Sequence, residues 1–145
     1  MQIYFICTGN TCRSPMAEAI LKSRKIRNLE VRSAGIYTQN GGAMSPNAKA
    51  VLREHGIEEN HQSSMVDLNY MEQADVVLTM TSAHMHALVQ YFPQMANKIF
   101  TLSEYVKGQT TDVSDPYGGS IEVYRQTFEE LSKSIDALQK KILEE

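Results

Sequence analysis

The sequence has no tryptophan, only two cysteines and only four prolines. Two cysteines cannot staple a disulfide scaffold, so the expected compartment is reducing and cytoplasmic. Four prolines and eight glycines are too few for a collagen-like or low-complexity chain. No apolar run approaches the roughly 20 residues that span a bilayer. The opening residues Met1 to Ile6 have no basic stretch or cleavage site, so no signal peptide and no membrane partner are expected. Internal repeats are absent, and no stretch rich in Pro, Gly or Ser divides the chain. His84 and His86 lie two apart, which on a helix turns them to different sides. No zinc-spaced set of ligands accompanies them, so no metal and no cofactor are expected.

What is present describes an ordinary globule of 145 residues, 42% hydrophobic and 21% charged. That length predicts one domain spanning 1–145, able to hide about two thirds of its unfolded surface. A net charge of −3 speaks against a nucleic-acid partner. The charge is unevenly placed. Residues 1–53 carry eight Lys or Arg against two Asp or Glu, and residues 54–145 carry six against fifteen. One part of the surface is therefore expected to meet an anion.

Strand and helix signals alternate along the chain. Gln2 to Ile6 is a short apolar β run. Ser14-Pro15 reads as N-cap and first helical position, opening a helix to about Arg24. Glu30 to Ser33 alternates as a second strand. Ser45-Pro46 repeats the start signal, and Gly56 ends a helix over Pro46–His55. Asp67 caps a short helical piece. Asp75 to Thr79 is a buried strand, Ser82 opens a helix that Pro93 ends, and Lys98–Leu102 is the fourth strand. Ile121, Tyr124, Phe128, Leu131, Ile135, Leu138 and Ile142 recur at spacings of three and four, the apolar stripe of a final helix. This order predicts an α/β fold: a small doubly wound, flavodoxin-like parallel sheet of four strands with helices on both faces. Ligands of such sheets sit beyond the carboxyl ends of the strands, at the switch point. The loop after the first strand is the place to look.

That loop is Cys7-Thr8-Gly9-Asn10-Thr11-Cys12-Arg13-Ser14, a C-x5-R-S pattern between a strand and a helix start. Backbone N–H groups of a loop entering a helix can converge into an anion cradle. Gly9 and Asn10 are residue types that tolerate left-handed backbone in a concave turn. Cys7 stands at the base, where the helix N-terminus and Arg13 are expected to lower its thiol below the free value of ~8.5. Arg13 can grip two phosphoryl oxygens as a fork. The chemistry expected is in-line displacement on phosphorus, giving a phosphocysteine that water then hydrolyses. The loop is no Walker motif, because no G-K-[ST] follows. The leaving group needs a proton, and Asp115 in the polar stretch Gly108 to Ser120 is placed to give it.

Cys7 to Pro15 together with Asp115-Pro116 resemble the low-molecular-weight protein tyrosine phosphatase family. The resemblance covers the whole chain, with both motifs in order. It implies Cys7 as nucleophile, Arg13 as phosphate clamp and Asp115 as acid and later base. It also implies that Asn10 shapes the loop and that the Ser14 hydroxyl bonds the thiolate. Cys12 matches a second loop cysteine that in the family pairs with the nucleophile on oxidation. Tyrosine-specific members carry a bulky aliphatic residue where this chain has Thr11. Thr11, together with the loop and helix start from Cys7 to Glu18, the run Phe100 to Val106, and Asp115 to Ser120, resembles the bacterial branch that acts on phosphoarginine. A small hydroxyl side chain suits a planar guanidino group, and Asp115 can pair with it. Gly118 after Tyr117 thins the aromatic wall a phenyl ring would need. The substrate implied is a protein carrying phosphoarginine, with inorganic phosphate as product, and the alternative is phosphotyrosine.

Blander readings stand beside these. Cys7 alone would be a small buried hydrophobe, Asp115 a turn residue before proline, and Thr11 a β-branched spacer. Cys12 could be a plain loop residue, and Tyr37 and Tyr117 could line the mouth or merely pack. Three other functions meet specific objections. A phosphocysteine carrier would not need both Arg13 and Asp115. An arsenate reductase of this fold needs a further cysteine, and none follows residue 12. A non-catalytic phosphate-binding module needs no thiol.

Overall fold

The computed structural model describes residues 1–144. Four strands, β1 (Gln2–Cys7), β2 (Glu30–Gly35), β3 (Val76–Thr79) and β4 (Ile99–Thr101), form one sheet in the order β2-β1-β3-β4. Every pairing is parallel. Around them stand six helices: α1 (Arg13–Ser23), α2 (Pro46–Glu54), α3 (Leu68–Gln73), α4 (Ser82–Tyr91), α5 (Leu102–Lys107) and α6 (Ile121–Glu144). A 3-10 turn over Pro93–Lys98 joins α4 to β4.

The pleat of β1 divides the core between two faces. Ile3, Phe5 and Cys7 belong to one apolar cluster, which includes residues of α1, α2 and α6. Tyr4 and Ile6, pointing the other way, join Met71 of α3 and Leu88 of α4. Alternate side chains of a strand leave opposite faces, so a central parallel strand must be apolar throughout. The stripe on α6 behaves as its spacing requires: Tyr124, Phe128, Leu131, Ile135 and Leu138 are buried, and Ile121 and Ile142 are partly so. Asp67 accepts the backbone N–H groups of Asn69 and Tyr70, capping α3.

Several local expectations are corrected. The helix after the first loop begins at Arg13, not Pro15, and Ser14 is not its cap. The Ser14 hydroxyl is drawn inward to Cys7 instead. Ser45 makes no cap bond to α2, because its hydroxyl donates to Tyr124. Thr101 ends β4 and caps α5, a helix with no counterpart in the sequence reading. At six residues, α5 is too short to show a period.

β1 turns into the C-x5-R-S loop at the carboxyl edge, beside β3, where chain order along the sheet reverses. Cys7 pairs with Gly35 at the end of β2. A Cβ on Gly35 would lie 2.6 Å from Thr8 O and 3.0 Å from Asn10 N. Only a glycine lets the loop fold back this closely over the strand.

Candidate active site

Cys7, Thr8, Gly9, Thr11, Cys12, Arg13, Asp115 and Tyr117 line one cavity of about 230 Å³. Nearly all the residues predicted from sequence are thus brought together from two segments more than 100 positions apart. A larger, more open hollow of about 660 Å³ lies between α1, the turn after α2 and α6, and contains none of them.

Asn10 is the centre of the loop's construction. It is fully buried and adopts φ 55°, the left-handed backbone foreseen for it. Gly9 does not, so its freedom is unused. The Asn10 side-chain amide donates to Ser14 Oγ and to Ser33 Oγ, both at 2.9 Å. Its Oδ1 accepts from Ser64 N at 2.8 Å. His61 Nε2 donates to its carbonyl at 2.7 Å. Ser33 Oγ donates in turn to Glu18 Oε1, and Glu18 also pairs with Lys22. A loop held at this many points has little freedom left to lose on binding a ligand.

This frame sets the sulfur. Cys7 Sγ lies 2.8 Å from Ser14 Oγ. Since Ser14 already accepts from Asn10, its hydroxyl proton can point at the sulfur, the nearer partner, with Ala34 O at 3.5 Å as the weaker acceptor. Cys7 is only 3% exposed. Burial pushes its thiol up, and the Ser14 hydroxyl, the backbone at Ser14 and Asn10, and Arg13 pull it down. The net direction is upward, contrary to the lowering expected from the motif. Desolvation at the end of a core strand outweighs the donors, and Arg13 acts more weakly than any of them. Its guanidinium is engaged elsewhere: Nη1 donates to Val113 O at 3.1 Å, and Nη2 lies 3.6 Å from Asp115 Oδ2.

Arg13 thereby ties the Asp115 segment to the loop. Asp115 Oδ1 also accepts from Tyr117 N at 3.1 Å, which fixes the carboxylate over a turn. Its side chain is 59% exposed, so the carboxylate opens to solvent at the cavity. Tyr117 is 80% exposed and lines the mouth rather than packing. Tyr37 is also exposed and does not line the cavity. Thr11 Oγ1 lies 3.8 Å from Cys12 Sγ. Cys12 is buried, and its sulfur meets Tyr124 Oη at 3.3 Å. Both cysteines are free.

The sequence reading missed Ser33, Glu18, His61, Tyr124 and His84, whose Nε2 reaches Thr8 Oγ1 at 2.7 Å. None carries a motif, because each acts across elements distant in sequence. Among the described residues, no group of three or more His, Cys, Asp or Glu side chains could hold an ion. No helix among them is long and apolar enough to cross a membrane.

A thiol, a guanidinium and a carboxylate around an N–H-lined helix entrance make a site for phosphoryl transfer. Comparison with known proteins agrees. The family model described as "low molecular weight phosphotyrosine protein phosphatase" matches residues 2–145. The chain belongs to that family. It is therefore a phosphatase, a hydrolase of phosphate esters or amidates. It is 46% identical over 141 residues to the protein-arginine-phosphatase of Geobacillus stearothermophilus, covering 97% of this chain and 95% of that one. The protein-arginine-phosphatase of Bacillus subtilis (strain 168) is 47% identical, with 98% and 97% covered. A low molecular weight protein-tyrosine-phosphatase PtpB of Staphylococcus haemolyticus is 44% identical, with 90% and 92% covered. Among solved structures, a YwlE arginine phosphatase mutant with a phosphorylated active-site serine superposes with a TM-score of 0.95 at 46% identity, covering 98% of this chain and 95% of that one. A phosphorylated residue in place of the nucleophile is the state expected of a covalent phospho-enzyme route.

Proposed function

We propose that this phosphatase hydrolyses phosphoarginine in proteins through a phosphocysteine on Cys7, as one domain working in a reducing, cytoplasmic compartment. The observation that carries the reading is the cavity shared by Cys7, Thr11, Arg13 and Asp115. Cys7 Sγ attacks phosphorus as the thiolate, the form that Ser14 and the loop N–H groups favour. Arg13 and the backbone of Thr8 to Ser14 hold the phosphoryl oxygens. The P–N bond breaks as Asp115 gives its proton to the departing guanidino nitrogen. Water then attacks phosphorus, its proton returns to the Asp115 carboxylate, and the S–P bond breaks to release inorganic phosphate. Asp115 serves the first step as acid and the second as base.

Thr11 supports arginine as the carrier of the phosphate. It offers a short hydroxyl side chain where a phenyl ring would need an apolar wall. Tyr117, standing in solvent at the mouth, leaves only one aromatic flank. The two relatives named as arginine phosphatases carry the same implication. Phosphotyrosine is the second reading, favoured by the name of the staphylococcal relative.

The test is to mix the enzyme with a phosphoarginine peptide, quench within one turnover and analyse the loop peptide by mass spectrometry. Phosphate on Cys7 is the expected result. Cys7→Ser should abolish turnover. Asp115→Asn should slow it about 10²- to 10⁴-fold, the usual worth of a positioned acid, while inorganic phosphate still binds. Normal turnover by Cys7→Ser would sink the mechanism.

A further inference from the structure

His84 stands in the first turn of α4 and is only 8% exposed. Its Nε2 meets Thr8 Oγ1 at 2.7 Å. Its Nδ1 is buried without a hydrogen-bond partner, the one such side-chain nitrogen or oxygen among the described residues. The neutral ring has two forms. In one, Thr8 donates to a bare Nε2, and a protonated Nδ1 is left buried with nothing to accept from it. In the other, Nε2–H donates to Thr8 Oγ1, and a bare Nδ1 is left. By the accounting that holds for backbone groups, an orphaned buried N–H is rarer than an under-used acceptor. The second form is therefore the one adopted. A charged ring would strand a proton as well, and burial and Arg13 do push the imidazole down to about 4, with Asp112 and Asp115 opposing. The ring is therefore neutral at pH 7.

Thr8 follows Cys7 directly and lines the same cavity. With His84 donating to its oxygen, its own proton has no protein acceptor among the described residues. We propose that His84 is a positioning residue: by donating to Thr8 Oγ1 it turns the Thr8 hydroxyl into a donor for a phosphoryl oxygen held over Cys7. Thr8 then contributes to the cradle with its side chain as well as its backbone. The inference rests on the assignment of this loop as the phosphoryl site.

A double-mutant cycle tests it, with kcat/KM on a phosphoarginine peptide and inhibition by orthovanadate as readouts. Thr8→Val and His84→Leu should each lower kcat/KM and weaken vanadate inhibition by about ten- to a hundredfold, the range for a hydrogen bond to a charged group. In the Thr8→Val background, His84→Leu should add less than about twofold, because the ring acts only through Thr8. Thr8→Ser, which keeps the hydroxyl, should restore both readouts, as should His84→Gln, which keeps an N–H donor. Additive losses would overturn the proposal, as would full activity of Thr8→Val. So would a His84→Leu loss that Gln does not recover while thermal unfolding stays unchanged. A Cys7→Ser control separates the two levels: turnover there overturns the site assignment itself, whereas its loss beside an additive cycle overturns the role of His84 alone.

Discussion

Replacing Ser14 by alanine removes one hydroxyl and little else, and the structure says what should follow. Ser14 Oγ is 2.8 Å from Cys7 Sγ, and Asn10 donates to the same oxygen at 2.9 Å. Asn10 keeps its bonds to Ser33 and Ser64 in the variant, so the loop should retain its shape. The unfolding temperature should move by no more than a few degrees. The sulfur loses its closest donor. A hydrogen bond to a charged group is worth roughly 1.5–3 kcal/mol, and each 1.4 kcal/mol is about a factor of ten. Burial already pushes the Cys7 thiol up, and Ser14 is the strongest opposing influence. Its removal moves the thiol further up, so at any pH below that point less thiolate is present. Alkylation of Cys7 by iodoacetamide at pH 7 should therefore slow by about ten- to a hundredfold, with kcat falling in parallel. Mass spectrometry of the loop peptide reads the rate, with Cys12 as internal reference. A Cys7 rate within about twofold of the unaltered protein would refute the reasoning, because it would show that Ser14 does not hold the thiolate.

Other consequences are more direct. Gly35→Ala would push a methyl against Thr8 O and Asn10 N, and should cost most of the activity together with at least about 1–3 kcal/mol of stability, read by urea unfolding. Thr11→Ile should shift the ratio of kcat/KM from phosphoarginine towards phosphotyrosine, and an unchanged ratio would refute the role given to Thr11. Leu131→Ala, at a fully buried position on α6, should lower stability by about 2–5 kcal/mol without changing kcat at temperatures where the protein stays folded.

The fold was legible wherever a period or a punctuating residue was strong. The stripe from Ile121 to Ile142 and the apolar run at Gln2 to Ile6 predicted their elements. Pro46, Gly56 and Pro93 marked boundaries because proline and glycine act locally. The short helix Leu102–Lys107 was hidden, since one and a half turns show no period. Ser14 was misread as a helix cap because serine before proline is the common cap signal, whereas the family resemblance already implied the contact between its hydroxyl and the sulfur. That Cys7, Arg13 and Asp115 would meet at one cavity was legible, because the chemistry expected of the loop calls for those residue types at that spacing. His61, Ser33, Glu18 and His84 were not, because they reach the loop through space. The direction of the Cys7 thiol was misjudged on the same ground. The motif displays the donors around the sulfur, but not the depth of its burial.

The central claim is that the cavity is shaped for phosphorylated arginine. The direct measurement is kcat/KM of the unaltered protein on two peptides of one sequence, one carrying phosphoarginine and the other phosphotyrosine. The account predicts a clear preference for phosphoarginine, and a preference for phosphotyrosine would contradict it.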